Sequence, residues 1–421
     1  MYIYDFIIIG GGMGGLNSAY NLSNFSNKIL LLDERKYLGG RILTYYENNF
    51  HYELGAGRFN NKQKILLKLI KDFNLTKIKI NDKIDYIDKR STVKPNIFNI
   101  VISKIINKLQ KINKIKLKKY TFKELCYKYY IKKYNGSSYL SLQSIKQLIN
   151  YFGYKSEFEI LNAFNAIKTF NLNFNKKNKF YFLKEGLTEL CNKLRNICLK
   201  NNVKINLSSF VNNIYKNNNL FIVETNNNYY YSKNIIFAVK KNDLLKFKIL
   251  NPITSIIKSV KSTPLLRIYA YYPIINNKVW FENLNKIVTN TKLKFIIPIN
   301  KKIGIIMISY TDYKDTKPFI ENNKLKNNNI IINIIGNELK KIFNIDIPNP
   351  IKLNSYYWIN GCHYWKKNYD SEIISKSILN PIDNIYICGE TYSLYNQAWI
   401  EGALETSNKV CNIIIDSIYK N

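Results

Sequence analysis

The sequence predicts an α/β fold with three parts: a Rossmann-like domain assembled from discontinuous segments, a second domain built on a mixed sheet, and a helical insertion. Three observations carry this. Tyr2–Gly10 is an apolar, β-rich run that passes into a glycine-rich turn and then a helix, Gly14–Leu22. A buried-type strand returns near the other end at Asn384–Gly389, followed by a helix across Trp399–Asp416, so the first and last segments read as parts of one domain. Between them, long amphipathic segments give way to repeated short strands. At 421 residues the chain exceeds one ordinary core, and 46% hydrophobic with 14% aromatic residues is ample for folded domains.

Along the chain, Lys28–Asp33 is a second apolar run of strand length and completes a β-α-β unit. Lys64–Phe73, Ile97–Ile112 and Leu142–Tyr151 are amphipathic helical segments separated by Asn, Gly and Lys clusters, and they make the insertion. Phe180–Leu183 returns to strand, and Leu187–Leu199 is a helix. Strands at Val203–Ile205, Ser209–Lys216, Leu220–Thr225 and Asn234–Ala238 imply further sheet. Leu265–Tyr272, Phe295–Ile299 and Ile303–Tyr310 are strands suited to the floor of a cavity, and Ile330–Phe343 follows as a helix. There is no internal repeat.

The formal charge of +35 suggests a polyanionic partner at first sight. The lysines are diluted over strands, helices and loops alike, as an AT-rich genome would distribute them, whereas a nucleic-acid footprint concentrates on one face. No nucleic-acid partner is predicted, and Lys111–Lys119 reads as the solvated face of a helix. Cys126, Cys191, Cys198, Cys362, Cys388 and Cys411 show no paired metal spacing, and with only His51 and His363 beside them no metal site is predicted. The first strand begins at Tyr2, with no signal segment ahead of it, and no run of about 18 apolar residues occurs. A soluble, cytoplasmic protein with reduced thiols is expected, and a homodimer is left open.

Gly10, Gly12 and Gly15 form G-x-G-x-x-G between the first strand and the first helix. Gly10 permits the tight turn, Gly12 the close approach of a pyrophosphate, and Gly15 the packing of helix on strand. The helix N-terminus supplies N–H groups and partial positive charge to phosphates. Asp33, 18 residues after Gly15 and at the end of the second strand, stands where an acid accepts hydrogen bonds from an adenosine ribose. This context indicates a dinucleotide without separating NAD from FAD.

The continuation Asp33-Glu34-Arg35-Lys36-Tyr37-Leu38-Gly39-Gly40-Arg41 resembles the acid-x-R-x-x-x-G-G-R stretch of the flavin-containing amine oxidoreductase family, which includes monoamine, polyamine and L-amino-acid oxidases. Ile385-Tyr386-Ile387-Cys388-Gly389-Glu390-Thr391 and Gln397-Ala398-Trp399-Ile400-Glu401-Gly402-Ala403-Leu404 resemble its closing strand, G-E motif and last helix start, with Ala398 where Gly is usual. Phe182-Leu183-Lys184-Glu185-Gly186-Leu187, Val211 and Ala238-Val239 resemble its middle segment. The resemblance implies FAD as cofactor, held at Gly10, Gly12, Gly15, Asp33, Glu34, Arg35, Gly40, Arg41, Gly57, Arg58, Val211, Gly389, Glu390, Ala398, Trp399 and Ile400. Gly40 and Arg41 would meet the pyrophosphate, Val211 the adenine side and Glu390 the ribityl or pyrophosphate region. The N–H groups from Ala398 to Glu401 would meet the flavin's pyrimidine end. It implies a domain of residues 1–60, 180–250 and 380–421 for FAD, an insertion over 61–179 and a substrate-binding domain over 251–379.

The resemblance further implies hydride transfer from the carbon–nitrogen bond of an amine or L-amino acid to flavin, with O2 as acceptor giving H2O2 and an imine that hydrolyses. Trp399 would face the substrate as a catalytic aromatic, or be an ordinary core Trp. Lys278, two residues before Trp280, is the nearest match to the family's Lys near flavin N5, though chance is as good an account in so Lys-rich a chain. Arg58, in Gly55-Ala56-Gly57-Arg58, matches the segment of amino-acid oxidases in which Arg binds the substrate carboxylate; a structural or flavin-contacting role is the other reading. Cys362 lies in a neighbourhood resembling a covalent flavin-linking sequence, against which stands a buried free thiol; Tyr364 and Trp365 are candidate cavity walls. Monoamine or polyamine oxidation, or a flavin-binding scaffold without turnover, are the alternatives.

Overall fold

The computed structural model describes residues 2–81, 83–87, 103, 105–130, 149–150, 152–173 and 178–420. Strand β1 (Ile3–Ile9) pairs in parallel with β2 (Ile29–Leu32) on one side and with Tyr229–Phe237 on the other. Lys204–Asn206 extends the sheet past β2, and Ile385–Ile387 joins Tyr229–Phe237 in parallel. Val211–Asn217 and Leu220–Thr225 complete seven strands as an antiparallel meander. Parallel strands need a crossover and cover on both faces; accordingly Ile7, Ile8, Leu30 and Leu31 have no solvent exposure. Helix α1 (Met13–Leu22) is the crossover, and it is clasped by the last helix, Ile400–Lys420, through Asn17 donating to Ser407 Oγ and Asn408 Oδ1, both at 2.7 Å. This is the discontinuous α/β architecture expected.

The second sheet is centred on Val260–Tyr271, which pairs antiparallel with Lys352–Trp365 and with Ile305–Asp312. Phe295–Asn300 and Lys286–Thr289 follow, and Ile84–Ile87 closes the edge in parallel. Two strands therefore come from the stretch expected to be helical, since Lys77–Lys79 also pairs, with Phe180–Leu183. Residues 97–102 and 104 of Ile97–Ile112 lie outside the described residues, while 105–109 are helical; of Leu142–Tyr151 only 149 and 150 are described.

Lys111–Lys119 is corrected in one respect. Its helix is Lys114–Lys118, and Lys118 is buried rather than solvated, paired to Asp370 at 2.7 Å and Glu372 at 3.0 Å. The six cysteines are free thiols. Among the described residues no helix is long and apolar enough to cross a membrane.

Candidate active site

One cavity runs from the carboxyl ends of β1 and β2, past the turn at Gly40, to a wall made by the second sheet and the insertion. At its first end the glycines do different work. A Cβ on Gly15 would stand 1.9 Å from the Gly10 carbonyl oxygen, so Gly15 lets α1 lie on β1 and does not line the cavity. A Cβ on Gly12 would meet nothing nearer than Gly40 Cα at 3.9 Å, which leaves open space directly before α1. That helix begins without a side-chain cap and without an acid in its first turn, so its first N–H groups remain for an anion. Open space and uncapped donors are what the pyrophosphate of FAD requires.

Asp33, Glu34, Arg35 and Val211 line the same end. Asp33 already accepts from the backbone of Gly11 at 2.6 Å and Arg35 at 2.7 Å, and burial outweighs these bonds to raise its pKa. A carboxylate has lone pairs left for a ribose. Arg35 donates to the Gly40 carbonyl at 2.7 Å and lies over the Trp358 ring at 5.4 Å, so it fixes the G-G-R turn.

In the middle of the cavity Arg41 Nη1 meets Glu390 Oε1 at 2.5 Å, and His363 Nδ1 meets the same oxygen at 2.6 Å. Burial pushes Glu390 up, but Arg41, His363 and the Ala398 N–H overcome it and hold the carboxylate down at about 2. Burial lowers the pKa of His363 against the pull of Glu390, and its Nε2 has no partner. Glu390 and Ala398 line the cavity and also serve the protein itself. Glu390 binds protein groups, orienting Arg41, and its Oε2 takes the Ala398 N–H at 2.8 Å, while the Trp399 N–H goes to Asn396 at 3.2 Å. Ala398 holds φ +63, the left-handed region where Gly is strain-free. Gly389, Ile400 and Gly57 also line the cavity.

The inner end gathers Arg58, Trp399, Tyr364 and Cys362. The Arg58 guanidinium lies 5.0 Å from the Phe180 ring, 5.9 Å from Trp399 and 6.0 Å from Tyr154, whose hydroxyl accepts from Nη2 at 3.2 Å. Burial raises the Cys362 thiol to about 12, which keeps it a neutral thiol.

Two expected residues are elsewhere. Lys278 is exposed in the turn Ile275–Lys278 beyond the strand Val260–Tyr271, outside the cavity. Trp365 is fully buried behind the wall, its ring N–H donating to the Ser393 carbonyl at 3.0 Å, because alternation along its strand turns it away from the face that Tyr364 presents.

Of the cavity residues not foreseen, three bear on the chemistry of the inner end. Arg267 is the one charged side chain in the apolar run Leu265–Tyr272, and that singularity was its signal. Glu157 comes from the short helix Lys155–Glu159 and Asp312 from the end of Ile305–Asp312; neither belongs to a recognisable motif. Burial first, then the neighbouring Asp312, raise Glu157 to about 8, and its Oε2 has no partner. Burial likewise raises Asp312 to about 6, although Ser156 and the Lys155 N–H donate to it.

Comparison with known proteins agrees with this geometry. The model of a family described as flavin-containing amine oxidoreductases matches residues 13–415. An L-amino-acid oxidase of Crotalus adamanteus is 35% identical over 69 residues, 16% of this chain and only 13% of that protein's length. Flavin-containing amine oxidase A of Equus caballus is 31% identical over 81 residues, 19% of this chain and 15% of that protein. A solved putrescine oxidase bound to putrescine superposes with TM-score 0.79 at 12% identity, covering 99% of each chain. A protein of Exiguobacterium sp. 255-15, named provisionally as a protoporphyrinogen oxidase, gives 0.72 at 13%, covering 98% of this chain and 99% of that one. These two likenesses speak to fold. With the family model spanning nearly the whole chain and the first half of the cavity shaped for FAD, the protein belongs to the flavin-containing amine oxidoreductases.

Proposed function

We propose that the protein oxidises the carbon–nitrogen bond of an L-amino acid or related carboxylated amine, yielding an imine that water hydrolyses to a carbonyl and ammonia, while O2 is reduced to H2O2. Bound FAD supplies the two-electron sink for the hydride that leaves the carbon. The carrying observation is Arg58: among the described residues its polar partner is a neutral phenol, so its planar fork remains for a carboxylate. Phe180 and Trp399, stacked with centroids 6.3 Å apart, would wall the reacting atoms from water. The same desolvation that raises Glu157 to about 8 disfavours an ammonium there, which helps the substrate react as a neutral amine.

The rival reading, oxidation of amines without a carboxylate, is favoured by one observation: the adjacent carboxyls of Glu157 and Asp312, with Glu157 Oε2 unpartnered, suit a cation. Anaerobic mixing of the flavin-loaded protein with L-amino acids, monoamines and diamines decides. Loss of the flavin's visible absorption with amino acids supports the proposal. Bleaching by amines alone selects the rival, and a flavin that no substrate reduces points to a scaffold without turnover. Yellow colour retained in an acid precipitate would assign a covalent link to Cys362.

A further inference from the structure

Arg267 is 7% exposed, and its Nε has no hydrogen-bond partner. Its other contacts are neutral oxygens: Nη1 donates to the Glu53 main-chain carbonyl at 2.7 Å and reaches the Tyr269 hydroxyl at 3.5 Å. The carboxyl of Glu53 is hydrogen-bonded elsewhere, by the Leu187 N–H at 2.7 Å and the Thr44 hydroxyl at 2.9 Å, and feels the Arg267 charge only through space, burial raising it to about 7 against that pull. A buried guanidinium with no hydrogen-bonded carboxylate is costly to maintain, and in a cavity wall it suits an anion.

Arg267 and Arg58 flank one stretch of that wall. Gly57, next to Arg58 in the chain, rests on Arg267 so closely that a Cβ there would be 2.8 Å from Nη1. Across the cavity a chain of aromatic contacts joins them: Arg58 bonds the Tyr154 hydroxyl, Tyr154 meets Tyr310 edge-on at 5.5 Å, and Arg267 lies over the Tyr310 ring at 4.8 Å. Among the described residues no carboxylate is ion-paired to either guanidinium: Asp312 is held by Ser156 and the Lys155 N–H, and burial raises Glu157 to about 8 although Arg58 pulls it down. A substrate with one carboxylate would leave one of the two guanidinium groups without a hydrogen-bonded carboxylate.

We infer that Arg58 and Arg267 form a clamp for two carboxylates, and that the substrate class is an α-amino dicarboxylic acid. This rests on the proposed oxidation of carboxylated amines and narrows it. Both carboxylates would be held by charge-assisted, forked hydrogen bonds, with the α-carbon presented toward Trp399 and the flavin edge.

The test compares the flavin-loaded full chain on L-glutamate and L-aspartate with their neutral amides, L-glutamine and L-asparagine, and with L-leucine and putrescine. Anaerobic flavin reduction is followed, and glutarate, which cannot be oxidised, is titrated against the flavin spectrum. At least one acid is expected to exceed its amide by about tenfold or more in kcat/KM, the scale of one charge-assisted contact. Arg267→Gln should bring the two within about twofold and abolish the glutarate response, while Arg267→Lys keeps part of both. Equal use of acid and amide by the wild-type protein overturns the clamp and leaves amino-acid oxidation standing. Discrimination that survives Arg267→Gln also overturns it. Reduction by putrescine alone, or by nothing, overturns the clamp and the broader proposal together. Should Arg267→Gln fail to fold, the wild-type acid–amide ratio and glutarate titration decide alone.

Discussion

Glu390 holds Arg41, His363 and the Ala398 N–H with two oxygens, so each partner's loss exposes a buried charge. Arg41→Met should abolish FAD retention and cost about 3–5 kcal/mol, because it strands the carboxylate. Adding Glu390→Gln should restore much of the stability without restoring FAD, as melting curves and flavin-to-protein ratios would report. Glu157 gives the opposite sign. Its folded pKa of about 8 lies above the ordinary 4.5, so the folded protein holds a proton the unfolded chain releases, and stability falls as pH rises from 4.5 toward 8. Glu157→Gln should therefore raise the melting temperature at pH 8 and leave it unchanged near pH 4. At this scale the cofactor end was legible because glycine spacing and Asp33 answer to a ligand of known shape. Arg267, Glu157 and Asp312 were not, since they belong to separate elements brought together only by the second sheet. Lys278 was misread because, among 64 Lys and Arg residues, a chosen spacing occurs by chance.

The turn between β1 and α1 separates folding from binding within four residues. Gly15→Ala drives a Cβ into the Gly10 carbonyl and should prevent the α/β unit from forming, read as insoluble protein or lost near-ultraviolet dichroism. Gly12→Ala meets no protein atom closer than 3.9 Å, so it should leave dichroism intact while weakening FAD binding by about tenfold or more. Elements bounded by turn-forming residues, such as Leu220–Thr225 between two runs of Asn, were read from sequence to the residue. The 14-residue strand Lys352–Trp365 was missed: Asn354, Ser355, Asn360 and Gly361 interrupt its apolar pattern, and its partner strand carries an irregularity between Thr263 and Leu265. Lys77–Lys79 and Ile84–Ile87 escaped because short edge strands carry exposed polar residues that resemble a helix surface.

Across the whole molecule, the cavity draws its walls from the first 60 residues, the middle and the last 40. A ligand that touches all three should stabilise the protein by mass action, by about 2.7 kcal/mol at 100 times its Kd. Stripping FAD should thus lower the melting temperature, and titrating it back should raise it progressively, whereas an unchanged transition would mean the segments close without it. The fold class was legible because the opening and closing motifs share one sheet. The placement of the substrate wall was not, since it brings Tyr154 and Glu157 of the insertion against the second sheet. One further consequence follows from Ile385–Ile387 pairing with Tyr229–Phe237 and from Ile400–Lys420 clasping α1. On the ribosome, β1, α1 and β2 emerge well before these later segments, a wait on the order of tens of seconds. Through that interval the apolar faces of the nascent sheet are open to chaperones and to aggregation, and cofactor capture waits for the segments that complete the cavity.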